Sequence, residues 1–166
     1  MNEHVFYEPG YDQSNTIVHL NKEESHHLAR VLRLLPGQEV VLVNGKGLIS
    51  EAAIKETGNQ ATLQVTKHHH GKPFSQATSL AFCPLKKRDK NEWTIEKACE
   101  LGVTQVHLFN SFHAERHKIN MERLEKIAIS AMKQSRNPFL PKIHAPLPFD
   151  QFLEKNFAAG QKFIAY

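Results

Sequence analysis

Two cysteines, Cys83 and Cys99, are all that the 166 residues contain, and they stand sixteen positions apart. That density excludes a disulfide scaffold and the spacing is foreign to zinc sites, so a reducing cytoplasm is the expected compartment. No apolar run approaches the ~18 residues of a membrane span. The opening stretch MNEHVFYEPG has no basic start followed by an apolar core, so it reads as neither an export signal nor a membrane anchor. Only eight glycines occur, and none falls in a GxGxxG, P-loop or GxSxG pattern. The usual signatures of dinucleotide, nucleotide and serine-hydrolase chemistry are therefore missing. Eleven histidines are plentiful but badly spaced for metal: His68 to His70 are consecutive and alternate faces on a strand, while His26 and His27 diverge around a helix. No metal site is expected.

Lys and Arg exceed Asp and Glu by 21 to 17, a formal charge of +4, and 40% of the residues are hydrophobic. This is a soluble globular composition whose modest positive excess favours an acidic partner such as nucleic acid without demanding one.

The richest stretch runs from Ser25 to Gly47, SHHLARVLRLLPGQEVVLVNGKG. Asn21 with Glu24 three residues later forms a capping box, so a helix is predicted from about Lys22. Leu28, Val31, Leu32 and Leu35 recur at helical spacing on one buried stripe, and His26, Arg30 and Arg33 project from the other side. Those cations either solvate an amphipathic helix or contact RNA. Pro36-Gly37 is predicted to stop the helix, and Asn44-Gly45 to close a tight hairpin between a strand at 39–43 and one at about 48–55.

Short strands at 4–7, 16–20 and 61–67 complete a small barrel-like pattern up to about His70. Beyond Gly71-Lys72-Pro73 strands alternate with helices: strand 79–83, helix 91–101, strand 105–109, helix 121–135, strand 142–143, a short helix near Gln151, and strand 163–165. That alternation predicts βαβ units around a parallel sheet. Two domains are expected, residues 1–72 and 73–166. Phe163 to Tyr166 reads as a core strand with no covering helix after it, so further C-terminal residues are expected.

Lys86, Lys87, Arg88 and Lys90 lie at the exit of the first strand of the second half, the edge where open α/β sheets collect ligands. They are either a solvated cluster or phosphate contacts. Trp93 faces away from Ile95, Ala98, Cys99 and Leu101, and either offers a partner surface or packs over the adjoining loop. Arg116, in the loop after the next strand, either solvates the surface or holds a phosphate or a developing oxyanion. Gln134 ends the following helix and is expected beside the same edge.

In order and spacing these segments, from HVFY through SHHLARVLRLLPGQEV, NGKG, EKACELGVTQV and the Arg116 loop to AMKQS, resemble the ribosomal RNA small subunit methyltransferase E family. The resemblance implies an N-terminal PUA-like RNA-binding barrel followed by a SPOUT-class α/β knot domain, usually a homodimer. It also implies methylation of uridine N3 in 16S rRNA with S-adenosyl-L-methionine as donor. Arg116, Gln134 and Arg136 become the catalytic candidates, and His26, Arg30, Arg33, Lys86, Lys87 and Arg88 the RNA contacts. Neither the GPEGG-like loop nor the LG-x-RILR-x-ETA-like segment of the family knot occurs in these residues. The SPOUT domain is therefore expected to be incomplete, the donor site to lie beyond Tyr166, and the 166 residues alone to be inactive. Where the family often has Gln-Ser-Gly-Arg, Arg136 follows Ser135 directly. A non-enzymatic RNA-binding or ribosome-assembly module is the alternative reading.

Overall fold

The computed structural model describes residues 4–73, 77–112, 119–155 and 160–164. Its first half is a curled five-stranded half-barrel: β1 (Val5–Tyr7), β2 (Ile17–His19), β3 (Glu39–Val43), β4 (Leu48–Glu56) and β5 (Thr62–His70), in the order β1-β3-β4-β5-β2. β3, β4 and β5 form an antiparallel meander, and β1 runs parallel to β3. Alternation along β4 turns Leu48, Ser50, Ala52 and Ile54 inward. There they meet Phe6, Leu20, Leu42 and Leu63, with Leu28 closing one end.

Helix α1 (Lys22–His26) starts as the capping residues require, with Asn21 Oδ1 accepting from the Glu24 amide at 3.0 Å. The reciprocal half of the box is made differently, because Glu8 Oε2 accepts from the Asn21 amide at 3.1 Å and frees Glu24 for another partner. After His26 the coil widens to a π turn, His27–Val31, in which the Leu32 amide reaches back five residues to the His27 carbonyl. Arg33 then takes a left-handed conformation, φ 53°, and ends the helix three residues before Pro36. The widened turn and early stop overturn the predicted stripe: Leu28 is fully buried, but Val31 and Leu35 are 60% and 66% exposed.

The hairpin at Asn44-Gly45 forms between the expected strand bounds, with four residues, 44–47, in its turn. Asn44 Oδ1 accepts from the amides of Lys46 and Leu48, and Gly45 and Gly47 both have positive φ.

In the second half, β6 (Ser79–Phe82), β7 (Gln105–Asn110) and β8 (Lys142–Pro148) form a parallel sheet in sequence order. Helices α2 (Arg88–Glu100) and α3 (Met121–Ser135) pack on each other and on one face through Ile95, Ala98, Leu124 and Ala128. Short α4 (Phe149–Glu154) lies against β7 and β8. Leu101, predicted to share the buried face of α2, is 78% exposed, because Gly102 at φ 77° caps the helix and turns the chain out. Phe163 and Ile164, predicted as a buried strand, are 86% and 87% exposed and carry no strand pairing; apolar residues form a strand only where a neighbouring ladder receives them.

The halves meet where the Asn44–Gly47 turn docks on the segment between α3 and β8. The Gly47 amide donates to the Pro138 carbonyl at 3.0 Å and the Leu140 amide to the Gly45 carbonyl at 2.9 Å. Val43 of the half-barrel packs there on Cys99, Ala131 and Met132.

A Cβ on Gly47 would stand 2.6 Å from Phe139 Cε1, whereas one on Gly37, also at positive φ, meets nothing. Gly37→Ala is expected to cost about 1 kcal/mol from backbone strain alone. Gly47→Ala adds overpacking and should cost about 2–4 kcal/mol. Urea unfolding of both variants checks the ordering, and equal costs would refute the contact.

Behind the sheet, His107 and His144 stack at 4.3 Å, and burial first, then the neighbouring imidazole or Lys142, holds both below the ordinary histidine value. Below about pH 6.5 the unfolded chain then binds more protons than the folded one, so stability falls with acidification. His144→Phe keeps a stacked ring and is expected to flatten the loss of Tm between about pH 7 and about pH 5. An unchanged slope would contradict this.

Candidate nucleic-acid interface

Two clefts carry the polar chemistry of the described residues, and they sit at opposite ends of α3. A helix following a parallel strand starts at the strand's C-terminal edge and returns to the opposite edge. α3, with fifteen residues, separates its ends by about 21 Å.

The first cleft, of about 250 Å³, lies at the C-terminal edge and is lined by Leu85, Lys86, Arg88, Asn91, Glu92, Ile119, Asn120 and Arg123 among others. Asn91 is buried and fixes the loop that carries Lys86, accepting from the Leu85 amide and donating to its carbonyl, both at 2.8 Å. Glu92 takes Arg123 in a bidentate pair at 3.1 and 2.9 Å, and those hydrogen bonds hold the carboxyl below its usual range. Lys86 and Arg88 thus share one concavity, as the strand-exit argument predicts. Lys87 is the N-cap of α2 and is exposed. Arg116 lies outside the described residues, in the segment that leads to Ile119.

The second cleft, of about 330 Å³, opens between the half-barrel and the C-terminal end of α3. His4, Val5, His27 and Leu32 form one bank, and Ser130, Lys133, Gln134 and Arg136 the other. Beneath it Lys133 Nζ donates to Glu24 Oε1 at 2.6 Å, with the two side chains only 19% and 8% exposed. Glu23 and Lys126 add an exposed pair at 3.5 Å between the same two helices. His27 packs edge-on to Phe6, and burial, then the Lys133 charge, keeps its imidazole below the ordinary value. It is therefore neutral at pH 7 and able to donate one hydrogen bond.

This placement corrects the expectation for Gln134. It does not share the edge of Lys86, because α3 carries it to the other edge, where it joins Arg136. Sequence reasoning placed His26, Arg30 and Arg33 apart from Gln134 and Arg136. All five are exposed; Gln134 and Arg136 line the cleft, and His26, Arg30 and Arg33 belong to the segment whose His27 and Leu32 line the opposite bank. The missed members are His4, His27, Lys133 and, at the other cleft, Asn91 and Arg123. Lys133 left a trace in the sequence as the cation in the last turn of α3, and His4 and His27 fall within the HVFY and SHHLARV segments.

Arg33 and Arg136 are the two non-glycine residues with positive φ among the described residues, at 53° and 56°. That conformation costs a side-chain-bearing residue about 1–2 kcal/mol. Arg136 caps α3 at the position where glycine is favoured and lines the second cleft, and Arg33 directly follows Leu32 of the opposite bank.

An RNA methyltransferase domain model matches residues 72–166, and an RNA methyltransferase PUA domain model matches residues 20–66. The chain belongs to the ribosomal RNA small subunit methyltransferase E family. The Synechocystis member is 30% identical over 155 residues, which are 89% of this chain and 48% of that protein. The Bacillus subtilis member is 26% identical, covering 87% and 59%. The chain thus spans about half to three-fifths of these relatives. A probable rRNA methyltransferase from Porphyromonas gingivalis superposes with a TM-score of 0.80 at 34% identity, over 92% of this chain and 63% of that one. A family member from Neisseria gonorrhoeae, solved with S-adenosyl methionine, shares the fold at TM-score 0.82 and 24% identity, over 95% and 67%.

The two clefts do not suit a sulfonium methyl donor. Lys86 and Arg88 line one beside the Arg123–Glu92 pair, Arg136 lines the other beside the Lys133–Glu24 pair, so each keeps a positive excess, and no glycine backbone lines either. Like charge in a partly desolvated cleft is unfavourable. The described residues fit a polyanion instead. Among them no three metal-ligating side chains converge, and no helix is long and apolar enough to cross a membrane.

Lys133→Met would leave the Glu24 carboxylate buried and unpaired, and is expected to destabilise the fold by about 3–5 kcal/mol. Glu24→Gln combined with Lys133→Met should recover most of that loss in chemical unfolding. A double variant no better than the single would show that the pair is not what joins α1 to α3.

Proposed function

We propose that this chain is the RNA-binding and RNA-positioning part of a cytoplasmic enzyme that methylates N3 of a uridine in 16S rRNA. S-adenosyl-L-methionine would supply the electrophilic methyl group. The observation that carries the reading is the pairing of a PUA-type half-barrel with an α/β unit whose two clefts are both cationic, in a chain of this family.

Uridine N3 is a weak acid between two carbonyls, and it must lose its proton as it attacks. A donor aimed at a carbonyl oxygen stabilises the developing anion. Arg116 is assigned that role, at the edge where Lys86, Lys87 and Arg88 contact the backbone. Gln134 and Arg136 position the RNA chain at the other end of α3, with His26, Arg30 and Arg33 across from them. The working form is a homodimer, for which Trp93, 59% exposed on α2, offers surface. The second reading is an RNA-binding or assembly module without catalysis, which would use the same cationic clefts.

Nucleoside mass spectrometry of 16S rRNA from cells with and without the intact gene decides between them. Loss of 3-methyluridine on deletion, restored by the gene and not by its Arg116→Ala form, is expected. Persistence of the nucleoside would leave the module.

A further inference from the structure

We propose that the cleft between the half-barrel and the C-terminal end of α3 is a phosphodiester-binding site that anchors single-stranded RNA away from the reacting edge. The inference rests on the reading of this chain as an RNA-binding protein and adds the place and the chemistry of one contact.

Three independent observations meet there. The cleft is built from both halves of the chain, with His4 and His27 on one bank and Ser130, Gln134 and Arg136 on the other. Its polar groups can donate to phosphate oxygens, and Lys133 adds a positive charge held in place by Glu24 beneath. Glu24 itself is buried, and its Oε2 has no hydrogen-bond partner among the described residues, so the carboxylate is given over to orienting Lys133.

The third observation is the backbone. Glycine is the residue that a left-handed helix cap favours, yet the chain places arginine in that conformation at Arg136, which lines this cleft, and at Arg33, which directly follows Leu32 of the opposite bank. A long cationic side chain in a strained position signals a use for the side chain rather than for the backbone. The π turn at His27–Val31 belongs to the same device: its extra residue per turn presents His27 and Leu32 to the cleft while Leu28 stays in the barrel.

Strain and function predict opposite outcomes for the same substitutions, which makes the test sharp. Arg33→Gly and Arg136→Gly relieve the left-handed backbone, so both variants are expected to melt at or above the native temperature. Binding of the full chain to a fluorescent oligouridylate of about twelve nucleotides, read by anisotropy at several salt concentrations, is expected to weaken about threefold to tenfold for each. The slope of log K against log salt should also fall by about 0.7 for each lost contact. His27→Gln, which keeps a donor, should bind like the native chain, and His27→Phe should not. Lys55→Gln, removing an exposed cation on β4 outside both clefts, should leave the slope unchanged.

Glycine variants that melt lower yet bind RNA with the native slope would overturn the proposal and make the arginines structural. A slope that falls equally for Lys55→Gln would overturn it too, since the protein would then bind by diffuse charge. The result is separable from the enzymatic reading. If 3-methyluridine survives gene deletion while the two arginine variants still lose RNA, the anchor stands and the reaction assignment falls.

Discussion

Everything functional in this chain depends on how closely one turn of the half-barrel approaches the segment after α3. Gly47 stands where any side chain would strike the Phe139 ring, and Gly71 is as close to Pro138. Two backbone hydrogen bonds run across the same contact. Isolated side-chain contacts would let two small units rock against each other. Backbone bonds with no room for a Cβ set the separation to within an atomic radius. That distance is what lets Glu24 of α1 reach Lys133 of α3, and so fixes the spacing of the banks of the second cleft.

A buried ion pair at such a seam contributes little net stability, because desolvation offsets most of the attraction. Its value here is geometric. Glu24 would normally complete its own capping box, but Glu8 takes over the bond to Asn21, and the Glu24 carboxylate is redirected across the seam. A local helix-start motif has thus been split between two acidic residues, one for the helix and one for the second unit. The same redistribution leaves His27 facing Lys133, which helps to keep its imidazole neutral.

The strand series, the parallel sheet and α3 were legible because their signals are local: period-two alternation in β4, and an Asn120 cap ahead of an amphipathic run whose bounds, 121–135, agree with the observed helix. The failures share a cause. Val31 and Leu35 sit at the right spacing for a regular helix, and the π turn with the early stop at left-handed Arg33, events of backbone geometry with no residue signature, move them into solvent. Leu101 and Phe163 are apolar without a neighbour to cover them among the described residues. The clefts were half legible. Lys86 and Arg88 follow from a general rule about strand exits, whereas the meeting of His27 with Gln134 and Arg136 depends on the packing of two units, which no local pattern encodes.

That geometry also constrains how RNA can be used. The two cationic clefts are separated by the length of α3, about 21 Å, or about six helical rises of a nucleic-acid strand. No single nucleotide touches both. A ligand that engages both ends must be a polymer, and contacts at one end would supply binding energy without approaching a base held at the other. Turning a base out of its stack costs a few kcal/mol, and remote phosphate contacts are a means of offsetting that cost. Placing the anchor at the far end of a rigid helix, rather than beside the reacting edge, lets the backbone be held firmly while the target base stays free to rotate.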